Sequence, residues 1–120
     1  MNRKSKKRGI ALFLVLSSFC FSGNSQTNIK AGKGLFNANC VACHRLDKKL
    51  IGPALIESTE KRTFSWFKEF VSDNAKMRAK GDKEALAIFK AFNGIPMPAY
   101  PQFSEKDMAN IYAYIKSEKK

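Results

Sequence analysis

Two thiols and an imidazole lie within five residues of one another, at Cys40-Val41-Ala42-Cys43-His44. With two residues between them, both sulfurs can reach one edge of a flat ring, and the adjacent imidazole can sit beneath a metal at its centre. Cysteine pairs at this spacing also serve zinc sites and thiol redox centres, so the rest of the chain must decide. A structural zinc takes four ligands. Beyond residue 25 the chain offers two cysteines and one histidine in all. A thioredoxin-like centre sits in a βαβ context, which the apolar pattern here lacks. The remaining reading is the Cys-x-x-Cys-His pattern of covalent haem attachment. Cys40 and Cys43 are then the bonded sulfurs and His44 an axial ligand to the iron.

His44 is the only histidine of 120 residues, so a second imidazole on the iron is excluded by composition. A second protein ligand would be methionine, and past Met1 the choice is Met77, Met97 or Met108. Met108 sits one turn into an amphipathic helix and reads as core. Met77 stands among charges in Asn74-Ala75-Lys76-Met77-Arg78, a stretch read as a mobile, basic surface connection. Met97 is clamped between Pro96 and Pro98, whose rings leave the backbone few conformations. That rigidity suits a ligand that must stay on iron in both redox states, and it selects Met97.

The elements that position these residues begin after a leader. Arg3, Lys4, Lys6, Lys7 and Arg8 precede the uncharged, mostly apolar run Ile10 to Phe21 and the small, polar Ser22-Gly23-Asn24-Ser25. This is the layout of a secretory signal peptide, so residues 1–25 are expected to be removed and 26–120 to form one domain. The apolar run falls short of the roughly 20 residues that span a bilayer. An uncleaved N-terminal anchor is the alternative. Cys20 falls in the leader, and it makes a poor lipid-attachment site because Ser17 and Phe19 stand where leucine and a small residue belong.

The domain carries 17 Lys and Arg against 10 Asp and Glu, a balance of +7. Without any nucleic-acid recognition motif, that charge points to acidic protein partners. Scattered solubilising lysine is the plainer reading. Arg45, Lys48 and Lys49 close behind the haem motif fit a docking rim or solvated surface equally well.

Four helices are expected. Asn28 to Ala42 has Gly32 and Phe36 on one face, and a glycine inside a helix predicts close approach of another backbone. Asp47 to Leu55 reads as loop. Thr63 to Asn74 carries Phe64, Trp66, Phe67, Phe70 and Val71 on one face. Trp66 is read as core, while resemblance to a known haem-protein family implies contact with a haem carboxylate as the competing role. The third helix starts at an Asp82 cap and stops at Asn93-Gly94. Ser104 with Asp107 forms a capping box for the last helix. Its apolar set of Met108, Ile111, Tyr112, Tyr114 and Ile115 is too broad for a single partner. No strand pattern occurs, so the class is all-α.

These residues together resemble the class I cytochrome c family over nearly all of the domain. The carriers of the resemblance are Gly32 and Phe36, Cys40 to His44, Gly52-Pro53-Ala54-Leu55, and Met97-Pro98-Ala99-Tyr100. It implies a cytochrome c fold of about four helices around one haem c with its iron, the N- and C-terminal helices crossing. It implies that the Pro53 carbonyl orients His44, that Leu55, Tyr100 and Ile115 contact the haem, and that Ile111 and Tyr114 pack the last helix on the first. Tyr100 departs from the commoner phenylalanine, and the basic segment from Asn74 to Gly81 has no clear family role.

The expected function is one-electron transfer in a respiratory or related redox chain, with redox proteins as partners and no small-molecule substrate. A His/Met pair fills both axial positions. A five-coordinate haem enzyme or gas-binding protein would need a distal acid or base, and no second histidine supplies one. A fixed haem subunit of a larger oxidoreductase is the other alternative. Localisation would be periplasmic, with membrane association only if the N-terminal segment is retained.

Overall fold

The computed structural model describes residues 26–120, five helices and no strand among them, and the expected leader lies outside the described residues. Helix α1 (Ile29–Asn39) starts where the Asn28 side chain accepts the Ala31 N–H, a cap worth about 1 kcal/mol. It ends earlier than its sequence suggests. Cys40 donates its N–H to Phe36, and the next residues curl into a turn closed by Cys43 N–H and His44 N–H on the Cys40 carbonyl. The haem motif is thus presented by a turn rather than by the helix itself.

Helix α5 (Glu105–Ser117) crosses α1 at the glycine. A Cβ on Gly32 would lie 2.0 Å from the Asn110 carbonyl oxygen, so only glycine lets the two backbones meet there. Asn110 also accepts the Asn28 N–H on its side chain at 2.7 Å. One turn along, Phe36 and Tyr114 pack with ring centroids 5.4 Å apart. With Ile111 and Ile115 they form the central core. The capping box is present, Ser104 and Asp107 each accepting the other's backbone N–H at 3.0 Å. Met108 is buried, as expected of core.

The breadth of α5's apolar face is explained by its second neighbour. Tyr112 packs between Phe64 and Phe67 and donates its hydroxyl to the carbonyls of Thr59 and Arg62. Those carbonyls belong to a helix absent from the sequence reading, α2 (Leu55–Glu60), and to the turn after it.

Helix α3 (Phe64–Ala79) corrects the sequence most. The expected end near Asn74 is a break rather than a terminus. Asp73 leaves helical geometry (φ −162°, ψ 81°), its carboxylate accepts the Lys76 N–H, and the chain resumes as helix to Ala79. Residues 74–79 are therefore no mobile connection. Val71, Asn74 and Met77 recur every three residues as a buried stripe, while Lys76 and Lys80 face out. Met77 is only 6% exposed and fixed in the core.

Helix α4 (Lys83–Ala91) opens at Asp82, whose carboxylate accepts the Ala85 N–H, and stops where Asn93 (φ 60°) and Gly94 (φ 69°) turn left-handed. Residues 95–103 then run as non-helical chain into α5.

Candidate functional site

One cleft collects the chemistry. It encloses about 1180 Å³ of atom-free space, its mouth included, and its wall is almost wholly apolar. Cys40, Cys43, His44, Pro53, Leu55, Met97, Tyr100 and Ile115, the residues selected from the sequence, all line it. Met77 and Met108 do not line it.

His44 is held from two sides. Its Nδ1 lies 3.0 Å from the Pro53 carbonyl oxygen. A carbonyl only accepts, so Nδ1 carries the proton and Nε2 keeps its lone pair. On the flank, Gly52 leaves the ring its space. A Cβ there would lie 2.4 Å from Cε1 and 2.8 Å from Nδ1 of His44. Gly52 is itself fastened by its N–H to the Cys43 carbonyl at 2.8 Å. Burial lowers the basicity of His44, partly offset by the Pro53 bond, which keeps the imidazole neutral and able to bind a metal.

Burial, and after it the neighbouring Cys43, push the Cys40 thiol up to about 11. A reactive or metal-binding cysteine is instead a thiolate with a lowered pKa. Cys40 in this setting is a poor nucleophile, and covalent attachment of a ring makes no demand on thiolate stability in the finished fold.

Met97 stands on the non-helical chain between α4 and α5, and this chain is tied down by three hydrogen bonds. Asn74 donates its side-chain N–H to the Met97 carbonyl at 3.0 Å. The Tyr100 N–H goes to the Val71 carbonyl at 3.0 Å, and the Tyr100 hydroxyl to the Asn39 carbonyl at 2.9 Å. Its phenol ring stacks on Phe103 at 5.1 Å.

Among the wall residues not picked out from the sequence as site residues, four stand out for their charge or fit. Arg62 and Arg78 are the cationic side chains of this apolar lining. Arg62 lies over Trp66 and is bonded to Glu84, and Arg78 lies over Phe89 and is bonded to Asn74. Nothing in their spacing distinguishes them from surface arginines. Asn74 is 1% exposed with both ends of its amide used, and Gly52 owes its role to a contact invisible in sequence. Trp66 is half-buried wall, stacked on Phe70, and its indole N–H is donated to Asp82.

At the mouth, Ile51 (48% exposed) and Ile95 (52% exposed) bring apolar surface into solvent. Lys49 reaches over the ring of Phe92, a wall residue, at 5.6 Å. Arg45, by contrast, is spent on backbone, donating to the Val41 and His44 carbonyls.

A flat, largely apolar ring with acidic substituents and a central metal fits this lining. The free Nε2, the methionine sulfur, the two cysteines and the two guanidiniums each have a counterpart in such a group. Comparison with known proteins points the same way. The sequence pattern of the family described as cytochrome c matches residues 29–119. Cytochrome c-551 of Stutzerimonas stutzeri is 35% identical over 80 residues, 62% of this chain and 65% of that protein. Subunit 2 of the cytochrome c oxidase of Alkalihalophilus pseudofirmus is 30% identical over 98 residues, 79% of this chain but 27% of that protein. The matches thus span about two thirds and about a quarter of these relatives. A solved cytochrome c from Rhodothermus marinus superposes with a TM-score of 0.66 at 28% identity, covering 74% of each chain. An engineered form of that protein, bound to a carbene intermediate, gives 0.63 at the same identity and coverage.

Proposed function

Because the chain belongs to the cytochrome c family, whose prosthetic group is a covalently bound haem c with its iron, we propose that it is a one-electron carrier with His44 and Met97 as axial ligands. Cys40 and Cys43 hold the ring by thioether bonds. The observation that carries this reading is that these four residues meet in one apolar cleft, which neither other methionine of residues 26–120 lines.

The bound haem supplies a centre that takes up and gives back a single electron. The chain does the rest. Pro53 fixes the His44 tautomer and raises its basicity by accepting a hydrogen bond from the Nδ1–H. Methionine together with imidazole would raise the reduction potential. With His44 and Met97 both holding the iron, small molecules would have to compete with a side chain to bind it. Leu55, Tyr100 and Ile115 would keep water from the ring, while Arg62 and Arg78 would supply positive charge for its carboxylates.

Electrons would enter and leave at the mouth, where Ile51 and Ile95 offer apolar contact and Lys49 offers positive charge. A redox protein with an acidic docking surface is the fitting partner. Residues 1–25 act as an export signal that places the domain in the periplasm, within a respiratory chain. If that segment were retained, it would tether the domain to the membrane. No helix among the described residues is long and apolar enough to cross one. The likeness to an oxidase subunit over 79% of the chain supports a second reading, a haem domain fixed in a larger oxidoreductase.

The test is the visible spectrum of the reduced protein, produced in cells that mature c-type haem, with and without carbon monoxide. The parent should be low-spin and indifferent to the gas. Met97→Ala should bind it rapidly and lose the methionine-to-iron charge-transfer absorption of the oxidised form. Met77→Ala should be less stable yet keep both properties. Rapid gas binding by the parent would establish an open-site protein instead.

A further inference from the structure

Asn74 has a position that its bonding partners dictate. A guanidinium has no acceptor and a carbonyl no donor. With Arg78 on one side and the Met97 carbonyl on the other, only one amide orientation serves both, Oδ1 toward Arg78 and Nδ2 toward Met97. Asn74 itself is 1% exposed, so its amide has no ready exchange of these partners for water. Aspartate would satisfy Arg78 and fill the same volume while turning an acceptor on the Met97 carbonyl. Leucine would satisfy neither.

The backbone around Asn74 is shaped for this contact. The break at Asp73 redirects α3 one residue before Asn74. At the same break the Val71 carbonyl accepts the Tyr100 N–H from the far end of the same short segment. Met97 and Tyr100 are thus both docked on the interruption of one helix, through bonds to backbone atoms that no side-chain pattern records.

We infer that Asn74 is a positioning residue for Met97, holding the ligand-bearing segment to α3 through the Met97 carbonyl so that the sulfur stays on the iron. This rests on the His44/Met97 reading. Removing the donor takes away the Met97 carbonyl's side-chain partner, which weakens the hold on Met97 about tenfold.

The experiment uses the matured holoprotein and two probes that compete with the methionine, imidazole for the oxidised form and carbon monoxide for the reduced form. Asn74→Asp should bind imidazole about tenfold more tightly and carbon monoxide about tenfold faster than the parent. Asn74→Ser, neutral and too short to reach, should move both in the same direction and serves if the aspartate variant fails to fold. Met77→Ala, a core truncation one turn away, should lower Tm at least as much while changing both probes less than twofold. If the Asn74 variants match the parent while Met97→Ala shows the full effect, Met97 is held without Asn74 and the inference is wrong. It is equally wrong if Met77→Ala shifts the probes as far as Asn74→Asp, because that is general loosening. If Met97→Ala itself behaves as the parent, the ligand assignment falls and the inference goes with it.

Discussion

The cleft has two sides built in different ways. Around His44 every support comes from residues 40–55: the Pro53 carbonyl, the gap at Gly52, and the bond from Gly52 to Cys43. Around Met97 the supports come from the end of α1 and from either side of the break in α3, at Asn39, Val71 and Asn74. The first side is a short closed circuit of chain. The second exists only while three distant segments stay docked. An iron held by His44 and Met97, as proposed, should keep its imidazole under conditions that release its methionine.

The largest test of the contrast is Gly32→Val. The new Cβ lies 2.0 Å from a backbone carbonyl that cannot swing aside, so α5 must lift from α1. Destabilisation should exceed about 3 kcal/mol, a fall in Tm of more than about 12 °C for a domain this size. In a denaturant titration the methionine-to-iron absorption should disappear before the haem loses its imidazole. Simultaneous loss would mean that the two sides are one cooperative unit.

Gly52→Ala attacks the His44 side alone. A methyl 2.4 Å from Cε1 must displace the imidazole, at about 1–3 kcal/mol. The low-spin electron paramagnetic resonance of the oxidised protein should shift while the methionine absorption persists, and an unchanged resonance would show that the flank can yield.

Tyr100→Phe is the gentlest. It keeps the stack on Phe103 and removes only the hydroxyl bond to Asn39, at about 1 kcal/mol. Imidazole should bind the oxidised form a few-fold more tightly, with the His44 side untouched. No change would remove Asn39 from the supports of Met97.

The same division governs what could be read from the sequence. The haem motif, the Asp82 cap, the Ser104–Asp107 box and the glycine crossing at Gly32 are all encoded within a few residues, where spacing is enough. The Met97 side was legible in its prolines and in the Met97-Pro98-Ala99-Tyr100 segment, but not in the bonds that hold it. The second half of α3 was hidden because Asp73 interrupts the apolar period and Asn74, a polar residue, occupies a core position. With Lys76, Arg78 and Lys80 around it, Met77 looks solvated until the stripe of threes from Val71 is laid on a helix. Helix α2 has six residues and no side-chain cap, too little for a period to register. The roles of Arg62 and Arg78 are set by which aromatic ring each lies across, which no local pattern predicts.

The crossing of α1 and α5 also sets an order of events in time. Asn28 and Asn110 are 82 residues apart, whereas His44 and Pro53 are separated by nine. The length-dependent entropy of closing these loops is about 4 and about 2 kcal/mol, respectively. The short circuit therefore closes first and often, even in a chain whose far end has not arrived. Haem bonded at Cys40 and Cys43 would find its first ligand within that circuit, and the loaded turn would then be the surface on which α5 and the Met97 segment condense.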